Sequence, residues 1–137
     1  MEKMLRVLLL FTVCSIASAA EETGYGCFEK IRLPEYPPLS RQAVQTGSVS
    51  AEITFNADTR QLQIDVTGRA PDLLKEYIKM VLSEAQLRKE CFSSRVVLTV
   101  RFELVGEHSD RPYLETLLVW PDTIIVRARP HIIDESR

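Results

Sequence analysis

Histidine and cysteine are scarce in this chain, with two of the first, His108 and His131, and three of the second among 137 residues. That leaves little material for a metal cage, and the run His108-Ser109-Asp110 sits in a charged stretch without a third or fourth ligand in the pattern. A glycine-rich phosphate loop, a G-x-S-x-G nucleophile turn and an H-E-x-x-H pair are all missing, so the chemistries they carry have no motif here. No metal and no cofactor is expected. Charge of one sign is missing too. With 17 basic and 19 acidic residues, and no basic patch, nothing points towards nucleic acid. Internal repeats and low-complexity segments are absent, and the seven prolines are scattered.

Long hydrophobic runs are limited to one, at the start. Lys3 and Arg6 come before an apolar stretch from Val7 to Ala17, followed by Ala17-Ser18-Ala19 and the acidic pair Glu21-Glu22. Positive charge, a short apolar run and an A-x-A ending are the three parts of a secretory signal peptide. Spanning a bilayer takes about 20 apolar residues, more than this run holds. A leader over residues 1–20, cut after Ala19 or Ala20, is therefore expected in preference to a retained anchor. The protein is then periplasmic or secreted, with no stable membrane insertion. Losing Lys3, Arg6 and Glu2 takes the 17 basic and 19 acidic residues to 15 and 18, a net charge of −3. About 117 residues remain, enough for one domain.

Cys27 and Cys91 outlast the leader, and an even count in an exported chain favours a disulfide. A reactive thiol with His108 or His131 as base is the alternative, and no local motif supports it.

Residues 21–35 read as a polar lead-in and 130–137 as a tail, around a domain over 36–129. Pro38 begins a short helix to about Gln45, which Gly47 is expected to close in a left-handed conformation. Val49, Ala51, Ile53 and Phe55 alternate with polar residues, and after Asn56–Arg60 the alternation resumes at Leu62, Ile64 and Val66. That pattern predicts an antiparallel hairpin. Leu74, Tyr77, Ile78, Val81, Leu82 and Ala85 recur at helical spacing, predicting an amphipathic helix of about 18 residues from Asp72. Val96, Leu98, Val100, Phe102 and Leu104 mark a strand over Arg95–Val105, and short strands are expected over 116–120 and 123–129. Trp120, beside Pro121, reads as a packing residue. The fold class is α+β, an antiparallel sheet with one long helix on a face.

The ordered set Tyr36-Pro37-Pro38-Leu39-Ser40-Arg41-Gln42-Ala43, then Gly47-Ser48-Val49, the hairpin, the helix with Leu73-Leu74 and the strand ending Phe102-Glu103-Leu104 resembles the TonB carboxy-terminal domain family. The likeness covers about residues 36 to 105 and rests on the family motif residues Tyr36, Pro37 and Gly47. It is closest to small exported relatives with one cysteine before the Tyr-Pro and another after the long helix, which implies that Cys27 and Cys91 pair. The family also implies a binding module without catalysis, adding an extended peptide to a sheet edge. Its partner would be a protein or peptide, with an outer-membrane transporter as the family example. The matching edge would be Arg95–Val105, with Arg95, Val97, Thr99, Arg101 and Glu103 flanking the peptide. Residues 112–129 continue past the end of the family pattern, and strands formed there would close that edge. The alternative role is a structural or assembly subunit, a homodimer or an envelope-complex component using the same edge. Energy transduction is not expected, because it needs a retained membrane helix and a long proline-rich arm.

Overall fold

A computed structural model describes residues 24–106 and 114–130 of the chain. Its strands are β1 (Phe28–Lys30), β2 (Gly47–Asn56), β3 (Gln61–Gly68), β4 (Gln86–Leu87), β5 (Val96–Leu104), β6 (Leu114–Val119) and β7 (Thr123–Ala128). Two helices, α1 (Pro38–Gln42) and α2 (Asp72–Ser83), join them. The five-stranded sheet runs β3-β2-β5-β7-β6, and β1 and β4 form a small antiparallel pair beside it. The fold is α+β. The leader, His108, His131 and most of the tail lie outside the described residues.

The alternating runs become strands because each has one face to bury. Val49, Ala51 and Ile53 of β2 meet Val96, Leu98, Val100 and Phe102 of β5 and Ile124, Val126 and Ala128 of β7 in one core. Leu74, Ile78 and Leu82 of α2 close that core from above. The hairpin turns where expected: the Asn56 Oδ1 accepts from the Asp58 and Thr59 amides, at 2.9 and 3.2 Å, which fixes a tight Asx-type turn.

The structure corrects three sequence expectations. Helix α2 has 12 residues, not about 18. It stops at Glu84 because Gln86 and Leu87 extend to pair with Lys30 and Phe28, while Ala85 and Leu87 stay buried. Apolar residues at 85 and 87 satisfy a helical stripe and a short strand alike, so periodicity alone could not end the helix.

Helix α1 is closed by Val44, at φ 55°, and not by Gly47. The Gln45 and Val44 amides donate to Ser40 and Arg41 carbonyls at 2.8 and 3.2 Å, the two bonds of a Schellman turn.

Finally, the sheet is mixed rather than antiparallel, because β7 runs parallel to β5. The chain leaves β5, forms the outermost strand β6, and turns back through β7 into the gap.

The lead-in is part of the domain from Gly24 onward. Cys27 and Phe28 are buried in the core, and the Cys27–Cys91 disulfide joins the start of β1 to the turn after β4.

Candidate functional site

The edge expected at Arg95–Val105 is occupied. β5 is the central strand, antiparallel to β2 on one side and parallel to β7 on the other, so Thr99 has Ser50 and Thr123 as its two neighbours. Residues 114–128 fill what would have been the open side. Val97, Thr99, Arg101 and Glu103 therefore point from the sheet face opposite α2, and Arg95 just before β5 pairs with Glu52 at 3.4 Å. Ion pairs run along and across that face. Arg101 meets Glu103 at 3.2 Å, Glu103 meets Arg127 at 3.0 Å, and Arg127 reaches Glu115 at 4.0 Å. Half-exposed pairs of this kind contribute at most about 1 kcal/mol each. They make a solvated, charge-balanced face.

The motif residues Tyr36, Pro37 and Gly47 serve the fold. Tyr36 is buried, edge-on to Phe102 with ring centroids 5.3 Å apart, and its hydroxyl donates to the Gln45 carbonyl. Burial pushes that hydroxyl up to about 12. Pro37 holds the extended backbone that enters α1. Gly47 opens β2 at φ 137°, where a Cβ would lie 2.9 Å from the Ala70 Cα.

Among the described residues, β3 and β6 are the two outermost strands of the sheet. Along β3, Leu62, Ile64 and Val66 turn towards α2, and Gln61, Gln63, Asp65 and Thr67 face water. The β6 edge differs. Leu118, Thr116 and Leu114 pair with Ile124, Val126 and Ala128, which puts them on the core-side face of the sheet. Yet Leu114 is 56% exposed and Leu118 53%, because α2 packs over β2 and β3 at the other end. Val119 on the opposite face and Trp120 in the following turn are also exposed, Trp120 to 76%. Sequence reasoning read 116–120 as one more strand and did not single it out. Its signal was the run Leu114-Glu115-Thr116-Leu117-Leu118-Val119, in which apolar residues appear on both faces and a single charge interrupts them.

The β6–β7 turn is held by the lead-in. The Tyr25 amide donates to the Pro121 carbonyl at 3.1 Å, and the Tyr25 hydroxyl lies against the Val119 carbonyl at 2.8 Å and the Thr123 carbonyl. Its ring meets Trp120 at 6.2 Å. Burial, with the Asp122 carboxylate adding to it, raises the Tyr25 hydroxyl above its ordinary range. Gly24 crosses so close to the turn that a Cβ would stand 1.8 Å from the Pro121 oxygen.

Elsewhere, a cleft of about 270 Å³ opens beside the stacked rings of Phe55 and Phe92, with Glu29 and Arg60 in its lining. Among the described residues, no three His, Cys, Asp or Glu side chains gather as a metal site, and no helix is long and apolar enough to cross a membrane. Compared with known proteins, the chain matches no family model, no curated protein and no solved structure.

Proposed function

We propose that the chain is an exported, non-catalytic protein-binding domain of the cell envelope, of the TonB-like kind, that pairs a strand of another polypeptide along β6. The observation that carries this reading is that β6 ends the sheet with no strand beyond it among the described residues, and that Leu114, Leu118, Val119 and Trp120 are exposed along it. A strand at a sheet edge offers unpaired main-chain N–H and C=O groups, and apolar side chains beside them give an incoming strand surface to bury. Natural edges are usually blunted by charge, proline or a covering element. The one charge on β6, Glu115, is already turned to Arg127. In this reading the partner edge of the TonB-like pattern moves from Arg95–Val105 to the strand that was added outside it. Energy coupling is left out, since the expected leader is removable and the seven prolines are scattered rather than gathered in an arm.

A photo-crosslinking residue in place of Leu118, expressed in the exporting cell, tests the proposal. A covalent adduct to a polypeptide is expected there, and none from the same probe at Gln63 on β3. Adducts at neither position, or at Gln63 alone, would sink it. An outer-membrane transporter in the adduct would tie the domain to TonB-dependent transport.

A further inference from the structure

We infer that the cleft beside Phe55 and Phe92 binds a small zwitterion with an aromatic body, a ligand the size of one free amino acid. The inference goes beyond the β6 reading and does not depend on it.

The cleft is built from four stretches of chain that the fold brings together. Phe55 and Leu62 are register partners at the loop end of the β2–β3 hairpin. Leu87 comes from β4, Glu29 from β1, and Phe92 from the turn after β4. The Cys27–Cys91 bond ties the last two stretches together, since Glu29 lies two residues past Cys27 and Phe92 directly follows Cys91. One covalent link therefore sets two walls before any ligand arrives, and a preformed site loses less to ordering on binding. Much of the surface is apolar. Phe55 and Phe92 stack with ring centroids 4.0 Å apart and planes 13° from parallel, and Leu62 and Leu87 line the space beside them. The volume of about 270 Å³ lies just under the range of about 300–1,000 Å³ in which drug-sized ligands sit. A single aromatic amino acid suits that space.

The charges choose among such ligands. Among the described residues the lining carries one charge of each sign, Glu29 and Arg60, and both are exposed. Neither makes an ion pair among the described residues. An apolar anion would meet Arg60 but also Glu29, and an apolar cation would meet the reverse. A zwitterion answers both. Arg60 is also held at a cost, because it ends the hairpin loop at φ 55°, a left-handed conformation that glycine or asparagine adopts more readily. The turn does not call for an arginine there, since the Asn56 side chain takes up the loop amides. A guanidinium that lines the cleft and can take a carboxylate gives the strained position a use.

Titrating L-phenylalanine into the protein purified after export tests the site. Saturable amide shifts are expected at Phe55, Arg60, Leu62 and Phe92. N-acetylphenylalanine stands for the carboxyl end of a chain and phenylalaninamide for the amino end. Each should bind about fivefold more weakly, because it loses one ion pair and keeps one like-charge contact. Arg60→Asn suits the left-handed turn, so its thermal midpoint should match or exceed the parent's. Phenylalanine should bind that variant about fivefold more weakly, with no loss for phenylalaninamide. Glu29→Gln should do the converse, weakening phenylalanine and sparing N-acetylphenylalanine. No saturable shift up to the solubility limit of phenylalanine would overturn the inference. So would a capped compound that binds as tightly as phenylalanine, or variants that both bind phenylalanine like the parent.

Discussion

β3 and β6 both end the sheet and each carries one carboxylate, Asp65 and Glu115, yet only β6 leaves large apolar side chains in water. The difference lies in what covers each strand. Over β3 the stripe of α2 takes up Leu62, Ile64 and Val66, so alternation becomes a buried face and a polar face. Among the described residues no helix lies over β6; the lead-in reaches it at Thr116, whose hydroxyl donates to the Pro34 carbonyl at 3.1 Å, and Leu114 and Leu118 stay exposed. An edge is thus made sticky or safe by the layer above it as much as by its own sequence. A second contrast follows from the lead-in, since the β6–β7 turn is braced from a distance by Gly24 and Tyr25, whereas the turn that leads into β3 is held locally by the Asn56 side chain.

The largest expected effect comes from cutting the brace at its root. Cys27 and Cys91 are 64 residues apart, and on the chain-entropy account such a crosslink contributes about 4 kcal/mol. Replacing both by serine should lower the urea midpoint accordingly, and hydrogen exchange should rise more at β6 than at β3. Equal rises would break the contrast.

Gly24→Ala comes next. It forces a Cβ into the Pro121 carbonyl at φ 105°, and overpacking plus a left-handed alanine should cost about 3 kcal/mol. Denaturant unfolding measures the loss, and β6 amides should show it first.

Tyr25→Phe removes the hydroxyl that reaches the Val119 and Thr123 carbonyls and should cost about 1 kcal/mol. The same hydroxyl sets a pH dependence. Unfolded tyrosine ionises near 10.0, and in the fold Tyr25 and Tyr36 both ionise higher, Tyr36 at about 12. Above pH 10 the unfolded chain therefore binds fewer protons than the native one. Stability should be intact below pH 10 and fall as the pH rises towards 12. Exchange at β6 should loosen over that range in the parent, and less steeply in Tyr25→Phe.

The smallest effect lies away from both edges. Val44 adopts φ 55°, which a β-branched residue tolerates poorly, so Val44→Gly should raise the thermal midpoint by the equivalent of about 1 kcal/mol. Both edges should keep their exchange rates, which makes this variant the control for the others.

Much of the fold was legible because burial writes itself into spacing. The alternation at Val49–Phe55, Leu62–Val66 and Val96–Leu104 marks half-buried strands, and each lies where it was expected. The Cys27–Cys91 bond is also present, as the exported context and the TonB-like resemblance implied. Two things were not legible for a common reason. The end of α2 depended on Phe28 and Lys30 arriving to pair with Leu87 and Gln86, and the strand that ends the sheet depended on β7 inserting between β5 and β6. Both are contacts between residues far apart in the chain, and local periodicity holds no record of them.

By itself, then, the sequence determined which residues seek the interior, which segments extend, which coil, and that two cysteines remain to be joined. Side-chain chemistry and its period along the backbone suffice for that. Only the tertiary structure decided which strand would be central and which would end the sheet. Strand order is a choice among non-local pairings of similar local strands, and it is settled by how the whole chain packs. That choice closed the strand the sequence offered as an edge and exposed Leu114, Leu118, Val119 and Trp120 in its place.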